Sequence, residues 1–183
     1  VMVTMTQDTI GLMPCNPSIG GPAKGQIAGE IDALGGEMGA AADATMIQMK
    51  VLNRSRGPAV QCLRSQNDKH EYNDHMKQVI ANTPNITIVE GEVTGMIVEE
   101  SLCKGIVMGN GDHLEAKSVV ITTGTFLNSL MHIGLSQEEG GRVGEQSANQ
   151  LSQTLYQHFR VGRLKTGTPP RLDRRTIDFD RLK

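Results

Sequence analysis

Apolar and polar residues alternate along Val1-Met2-Val3-Thr4-Met5-Thr6 as in a half-buried strand, and the pattern dissolves between Thr9 and Gly21 into a stretch rich in Pro, Gly and Asn. From Pro22 the spacing turns helical. Ala23, Ile27, Ile31 and Leu34 fall four, four and three residues apart, with a proline suited to the first turn and Gly35-Gly36 suited to a C-cap. The same reasoning predicts a second helix capped by Asp43 that runs through Met46, Ile47 and Leu52 to a stop at Gly57-Pro58. A third is expected from about 60 to 81, ahead of Pro84.

Past Pro84 the period changes. Ile86 to Val89, Val93 to Val98 and Gly105 to Met108 are short β-prone runs, and Gly109-Asn110-Gly111-Asp112 is a turn signal before Leu114, so an antiparallel meander is predicted over about 86–115. Lys117 to Thr123 is nearly all apolar and rich in β-branched residues, the composition of a strand buried on both faces, and a last helix is expected near Ala148 to Phe159. Strand, helices, inserted meander and buried strand together predict an α/β fold, a partial Rossmann-like domain of the two-dinucleotide-binding flavoprotein kind over 1–159, followed by a basic segment over 160–183 that leads toward a further domain. Ligands of such folds sit at the carboxyl ends of the strands, which assigns the loops after Thr6 and Thr123 to one crevice.

A chain of 183 residues suffices for one domain with a core and is short for a two-domain cofactor enzyme. Its two ends interrupt patterned sequence, so an internal piece of a longer protein is expected. No apolar stretch approaches the ~18 to 20 residues of a membrane span and no export signal opens the chain, which makes the cytoplasm or an organelle matrix the expected location. The net charge of −2 divides unevenly: residues 160–183 carry +5 and the rest −7. A basic terminal segment suits a polyanionic partner as well as a solvated surface. Cys15, Cys62 and Cys103 are too far apart for a structural zinc site and odd in number for a disulfide scaffold, and the five histidines share no metal-ligand spacing, so no metal is expected.

Chemistry concentrates in one loop. Gly20, Gly21 and Gly25 surround the start of a helix whose free N–H groups, with Lys24 beside them, suit a flavin edge, a phosphate or an oxyanion; a tight loop with a helix cap accounts for the same residues equally well. Cys15 precedes this loop. It is a candidate nucleophile, since a helix N-terminus and a lysine favour the thiolate, although a free cysteine is more often buried and inert. Gly140-Gly141-Arg142-Val143-Gly144 offers a second, weaker anion loop that lacks the preceding strand of a dinucleotide fingerprint. Aromatic residues are too few for a base-stacking platform.

Eight stretches, taken in order, resemble the MnmG (GidA) family: Cys15-Asn16-Pro17-Ser18-Ile19-Gly20-Gly21, Lys24-Gly25, Glu30-Ile31-Asp32-Ala33-Leu34-Gly35-Gly36, Gly57-Pro58-Ala59-Val60, Gly124-Thr125-Phe126-Leu127, His132-Ile133-Gly134, Gly140-Gly141-Arg142 and Arg163-Leu164-Lys165-Thr166-Gly167-Thr168-Pro169-Pro170-Arg171. The resemblance implies an FAD enzyme that acts with the GTPase MnmE, as a homodimer, to install an aminomethyl or carboxymethylaminomethyl group on C5 of a tRNA wobble uridine. Methylenetetrahydrofolate would supply the carbon, ammonium or glycine the nitrogen, and NADH the reducing equivalents. A catalytic cysteine of the family falls on Cys15, either attacking uridine C6 or acting beside a flavin that carries the one-carbon unit.

The resemblance further implies FAD contacts at Val93 and at Ala148, where relatives often have serine, so that contact there passes through backbone or shifts to Ser147. Asn16, Gly20, Gly21, Lys24, Thr123 and Gly124 complete the expected cofactor set. Arg163, Lys165 and Arg171 are expected to meet tRNA phosphate or, as readily, local carboxylates. The family's pyrophosphate fingerprint does not occur in the chain, which predicts weak or no FAD binding by this piece alone and no independent activity. Two other readings are a TrmFO-like folate- and FAD-dependent tRNA uridine methyltransferase, and a non-enzymatic RNA-binding or docking segment.

Overall fold

The computed structural model describes residues 1–167 and 172–182. Its elements in chain order are β1 (Met2–Thr4), β2 (Ser18–Gly20), α1 (Lys24–Ala33), α2 (Glu37–Thr45), β3 (Met46–Leu52), β4 (Cys62–Asn67), α3 (Lys69–Asn82), β5 (Ile88–Glu90), β6 (Val93–Glu99), β7 (Leu102–Met108), β8 (His113–Glu115), β9 (Leu130–Ile133), β10 (Ser136–Glu139) and α4 (Asn149–His158). The fold is α/β, as expected, with one parallel strand pair among antiparallel ones. It divides into two compact units, one of Val1–Asp8 with Asn85–Leu164 and one of Thr9–Pro84 with Lys165–Lys183.

In the first unit β1 pairs in parallel with β5, Val3 opposite Val89. The expected meander is present over its later part, where β6 pairs antiparallel with β7 and β7 with β8, while the run Ile86 to Val89, expected to open it, leads into β5 and pairs with β1 instead. The hairpin turn places Glu100 and Ser101 at positive φ, the twist that suits right-handed strands. Helix α4 lies on β6 where Gly95 presents no side chain, and the Thr154 hydroxyl donates to the Thr94 carbonyl (3.4 Å). The strand expected over 117–123 does not form. Val120 is 85% exposed, and the segment enters no ladder, so β-branched composition without a pairing neighbour leaves it irregular.

The second unit holds the sheet β2-β4-β3, antiparallel throughout, with α1 and α2 packed on it and α3 packed on α2. Its core gathers Ile19, Ala28, Ala41, Ala42 and Tyr72, with Met13, Met38 and Met76 against them. Helix α1 ends as its glycines predict: Gly35, at φ +83, donates to the Asp32 carbonyl (2.8 Å) and Gly36 to that of Ile31 (2.9 Å), the paired bonds of a left-handed C-cap. Its apolar stripe behaves otherwise. Ala28 is the buried residue, while Ile27 and Leu34 stay exposed.

Two predicted helices are corrected. The one expected from Asp43 to Leu52 is instead the end of α2 followed by β3, and the first third of the one expected over 60–81 is β4. Tertiary pairing overrides local propensity at both sites. Asp68 donates its N–H to the Thr45 carbonyl (2.9 Å), and Asn67 takes the carbonyl of Ala42, so α2 stops where β4 reaches it.

Candidate functional site

Cys15 is exposed, one residue before the exposed Asn16, in the segment leading into β2. That segment is tied at Pro17, whose carbonyl accepts the N–H of Asn67 (2.8 Å), and at Asn16, whose carbonyl accepts from Ser18 N (2.7 Å). The thiol is therefore presented to solvent from an anchored loop.

The three glycines that follow have a common packing role. Gly21 donates its N–H to the Leu63 carbonyl of β4 (2.8 Å); a side chain on Gly20, at φ +101, would strike that same oxygen; a side chain on Gly25 would lie 3.5 Å from it. Absent side chains here admit a neighbouring strand. Ala23 then takes φ 64, ψ −56, and Lys24 N donates to the Pro22 carbonyl (2.9 Å), a strained one-residue turn of positive φ from which α1 starts.

Lys24 bends back across this turn. Its Nζ donates to the Ser18 carbonyl (2.8 Å), and Arg64 Nη2 donates to the Ser18 hydroxyl (3.0 Å). Partial burial, and then the Arg64 charge, hold the Lys24 ammonium below the usual lysine range. Nothing in local periodicity marked Arg64, because it is brought to this place by the β2–β4 register, in which it lies opposite Gly20.

The first unit carries the remaining predicted residues. Val93 opens β6 opposite Met108 and is half-buried. Ala148 is buried, its N–H donating to the Phe126 carbonyl (2.8 Å), and Ser147 Oγ donates to the same carbonyl (3.0 Å) while accepting from Ser129 N (2.7 Å). Phe126 is thus a hub that sequence reading missed. A side chain on Gly141 would strike its ring, and the Arg142 guanidinium lies 5.0 Å from the ring centroid. Arg142 also pairs with Glu145 (3.3 Å), so the cation of the loop at 140–144 is engaged internally. Thr123 and Gly124 are irregular, Gly124 at φ 62. Arg163 donates to the Asn128 carbonyl (3.2 Å), Lys165 is exposed, and Arg171 lies outside the described residues. A cleft of about 270 Å³ opens just beyond β1, lined by Met5, Thr6, Glu92, Glu145 and Gln146. Among the described residues no cluster could hold a metal ion, and no helix is long and apolar enough to cross a membrane.

These motifs and this fold meet one family. The profile described as glucose inhibited division protein A matches residues 1–183. The chain belongs to the GIDA family. A relative from Bdellovibrio bacteriovorus, named tRNA uridine 5-carboxymethylaminomethyl modification enzyme MnmG, is 54% identical over 182 residues, which is 99% of this chain and 28% of that one. The structure of Aquifex aeolicus GidA superposes with a TM-score of 0.90 at 48% identity, covering 99% of this chain and 30% of the other. A GidA-related protein from Thermus thermophilus shares the fold alone, with a TM-score of 0.58 at 18% identity over 86% of this chain and 57% of that one. This GIDA chain spans a little under a third of the length of the MnmG and GidA relatives from Bdellovibrio bacteriovorus and Aquifex aeolicus.

Proposed function

We propose that the protein takes part in FAD-dependent modification of C5 of the tRNA wobble uridine, together with the GTPase MnmE and as a homodimer, and that Cys15 is the nucleophile. The match of the family across residues 1–183, with relatives named for this uridine modification, carries the reading. The anchored, solvent-facing thiol of Cys15 supports it. Attack of the sulfur on uridine C6 forms S–C6 and moves the C5=C6 electron pair onto C5 and O4. C5 then attacks the methylene carbon of methylenetetrahydrofolate as its C–N10 bond opens, and the nitrogen of ammonium or glycine takes the place of N5 on that carbon, so that tetrahydrofolate leaves with both of its nitrogens. Loss of the C5 proton and cleavage of S–C6 restore the aromatic ring and the thiolate.

FAD, when bound, supplies the redox chemistry, with NADH as the source of reducing equivalents. The residues of the first unit fit its adenosine end. The cleft beyond β1 lies at the carboxyl end of a parallel strand, where such ligands bind, and its Glu92 and Gln146 offer polar groups to ribose hydroxyls and a base edge. Val93 follows Glu92 in sequence and Ala148 lies two residues beyond Gln146, so both expected FAD contacts flank lining residues of this cleft.

The deciding experiment is Cys15→Ser in the full-length protein, with nucleoside analysis of tRNA and flavin content measured together. Loss of the C5 modification with flavin retained supports the nucleophile. Undiminished modification removes Cys15 from the chemistry, and a methylated uridine as the product would turn the assignment to the TrmFO-like reaction.

A further inference from the structure

We propose that Lys24 and Arg64, with the Ser18 hydroxyl, form a subsite for a phosphodiester of the RNA backbone that holds the substrate strand beside Cys15. The proposal rests on the tRNA reading above.

Two cations from different elements, the first turn of α1 and the middle of β4, converge on one small residue: Lys24 on the Ser18 carbonyl at 2.8 Å and Arg64 on the Ser18 hydroxyl at 3.0 Å. Each uses one donor there. The ammonium keeps two N–H groups and the guanidinium four for another acceptor. Among the described residues neither cation is paired with a carboxylate. Like charges held together without a counter-ion oppose folding, and the strained turn at Ala23 that directs Lys24 adds to that cost. Arrangements of this kind persist where a ligand of opposite charge completes them. A phosphodiester offers two non-bridging oxygens that share one negative charge, one oxygen for each cation, with lone pairs left to accept from the serine hydroxyl.

The choice of RNA over the flavin's own phosphates follows from the neighbourhood of Cys15: Ser18, Lys24 and Arg64 belong to the unit that carries this thiol, which lies three residues ahead of Ser18 in the chain. A phosphate bound at Ser18 fixes the strand next to the thiol that its uridine must reach.

The test uses the full-length protein as wild type, Arg64→Gln, Lys24→Gln, these two combined, and Arg64→Lys, with circular dichroism to confirm folding. Affinity for tRNA is measured over a range of salt concentrations, and bound flavin by absorbance. The expected result is unchanged flavin content, and a plot of log affinity against log salt that is shallower by roughly 0.7 to 0.9 when Lys24→Gln and Arg64→Gln are combined, the share of one neutralised phosphate, and by part of that in each glutamine variant alone. Arg64→Lys, which keeps the charge, should keep the slope. An unchanged slope in folded glutamine variants overturns the subsite while leaving the tRNA reading intact. Loss of flavin in those variants overturns it by giving the cations to the cofactor. A wild-type protein that binds no tRNA overturns the tRNA reading and the subsite together.

Discussion

The backbone N–H of Asn67 donates to the carbonyl of Pro17 across 2.8 Å, so the last residue of β4 holds the loop that presents Cys15. The side chain of the same asparagine is 1% exposed and fully used. Its Nδ2 donates to the Ala42 carbonyl (2.7 Å) and the Thr45 hydroxyl oxygen (3.1 Å), and its Oδ1 accepts from Ser65 (3.0 Å). One residue therefore joins the reactive loop, the end of α2 and the central strand.

Asn67→Ala should be costly. It strands the Ala42 carbonyl and the Ser65 hydroxyl in a buried place, and leaving such groups unmatched costs about 2 to 3 kcal/mol. Urea unfolding should show that loss without a change of slope. Because the bond to Pro17 is a backbone bond, the loop should keep its anchor in the variant that still folds, and Cys15 should react with a thiol reagent at a rate close to the native one. A variant as stable as the wild type would mean that the asparagine network carries no weight.

What the sequence displayed and what it concealed divide along a physical line. Gly35-Gly36 ended α1 through bonds to its own last turn, and the meander formed from strands adjacent in sequence; both are local and both were legible. The β3 strand was not. Its Met46-Ile47-Gln48-Met49-Lys50 reads as helix until β4 pairs with it, and the sign of the break lay further on, in Asp68 followed by Glu71, a cap signature that forbids a helix running through from residue 60. In the site, Cys15 and Lys24 were visible as types beside a glycine-rich loop. Arg64 was invisible because it reaches Ser18 from 46 positions away in the chain, through strand register alone.

Ala23 offers a stability gain. At φ 64 and ψ −56 its Cβ occupies a conformation that costs an L-residue about 1 to 3 kcal/mol, which glycine tolerates without strain. Ala23→Gly also adds freedom to the unfolded chain, which offsets part of the relief. A net gain of about 1 kcal/mol is expected, read as a higher melting temperature. If Lys24 depends on the strained turn for its aim, the same variant should bind tRNA more weakly while being more stable.

Asp68 sets an acid limit for α3. Its carboxylate accepts the N–H groups of Glu71 and His70, in that order of effect, and these bonds hold its pKa below the ordinary 3.8. A carboxyl with a depressed folded-state pKa contributes stability above the unfolded value and loses it as pH falls through the folded one. Asp68→Ala should therefore melt lower than the wild type at pH 7, and the difference should close as the pH is taken well below 3.8. Helical circular dichroism across that range checks it.

Lys24 gives the opposite sign and tests whether its place serves stability or binding. Burial first and Arg64 second lower its pKa from 10.5, so the folded protein disfavours the charged form. That penalty is fully present at neutral pH and is relieved as pH rises through the folded-state pKa toward 10.5, above which both states are neutral at this position. Lys24→Met keeps the apolar stem and removes the charge. It should melt no lower than the wild type at pH 7, and the wild type should gain on it as the pH approaches 10.5. Loss of tRNA affinity in a variant that is equally or more stable would separate the two roles, since a lysine kept for packing would lose stability and affinity together.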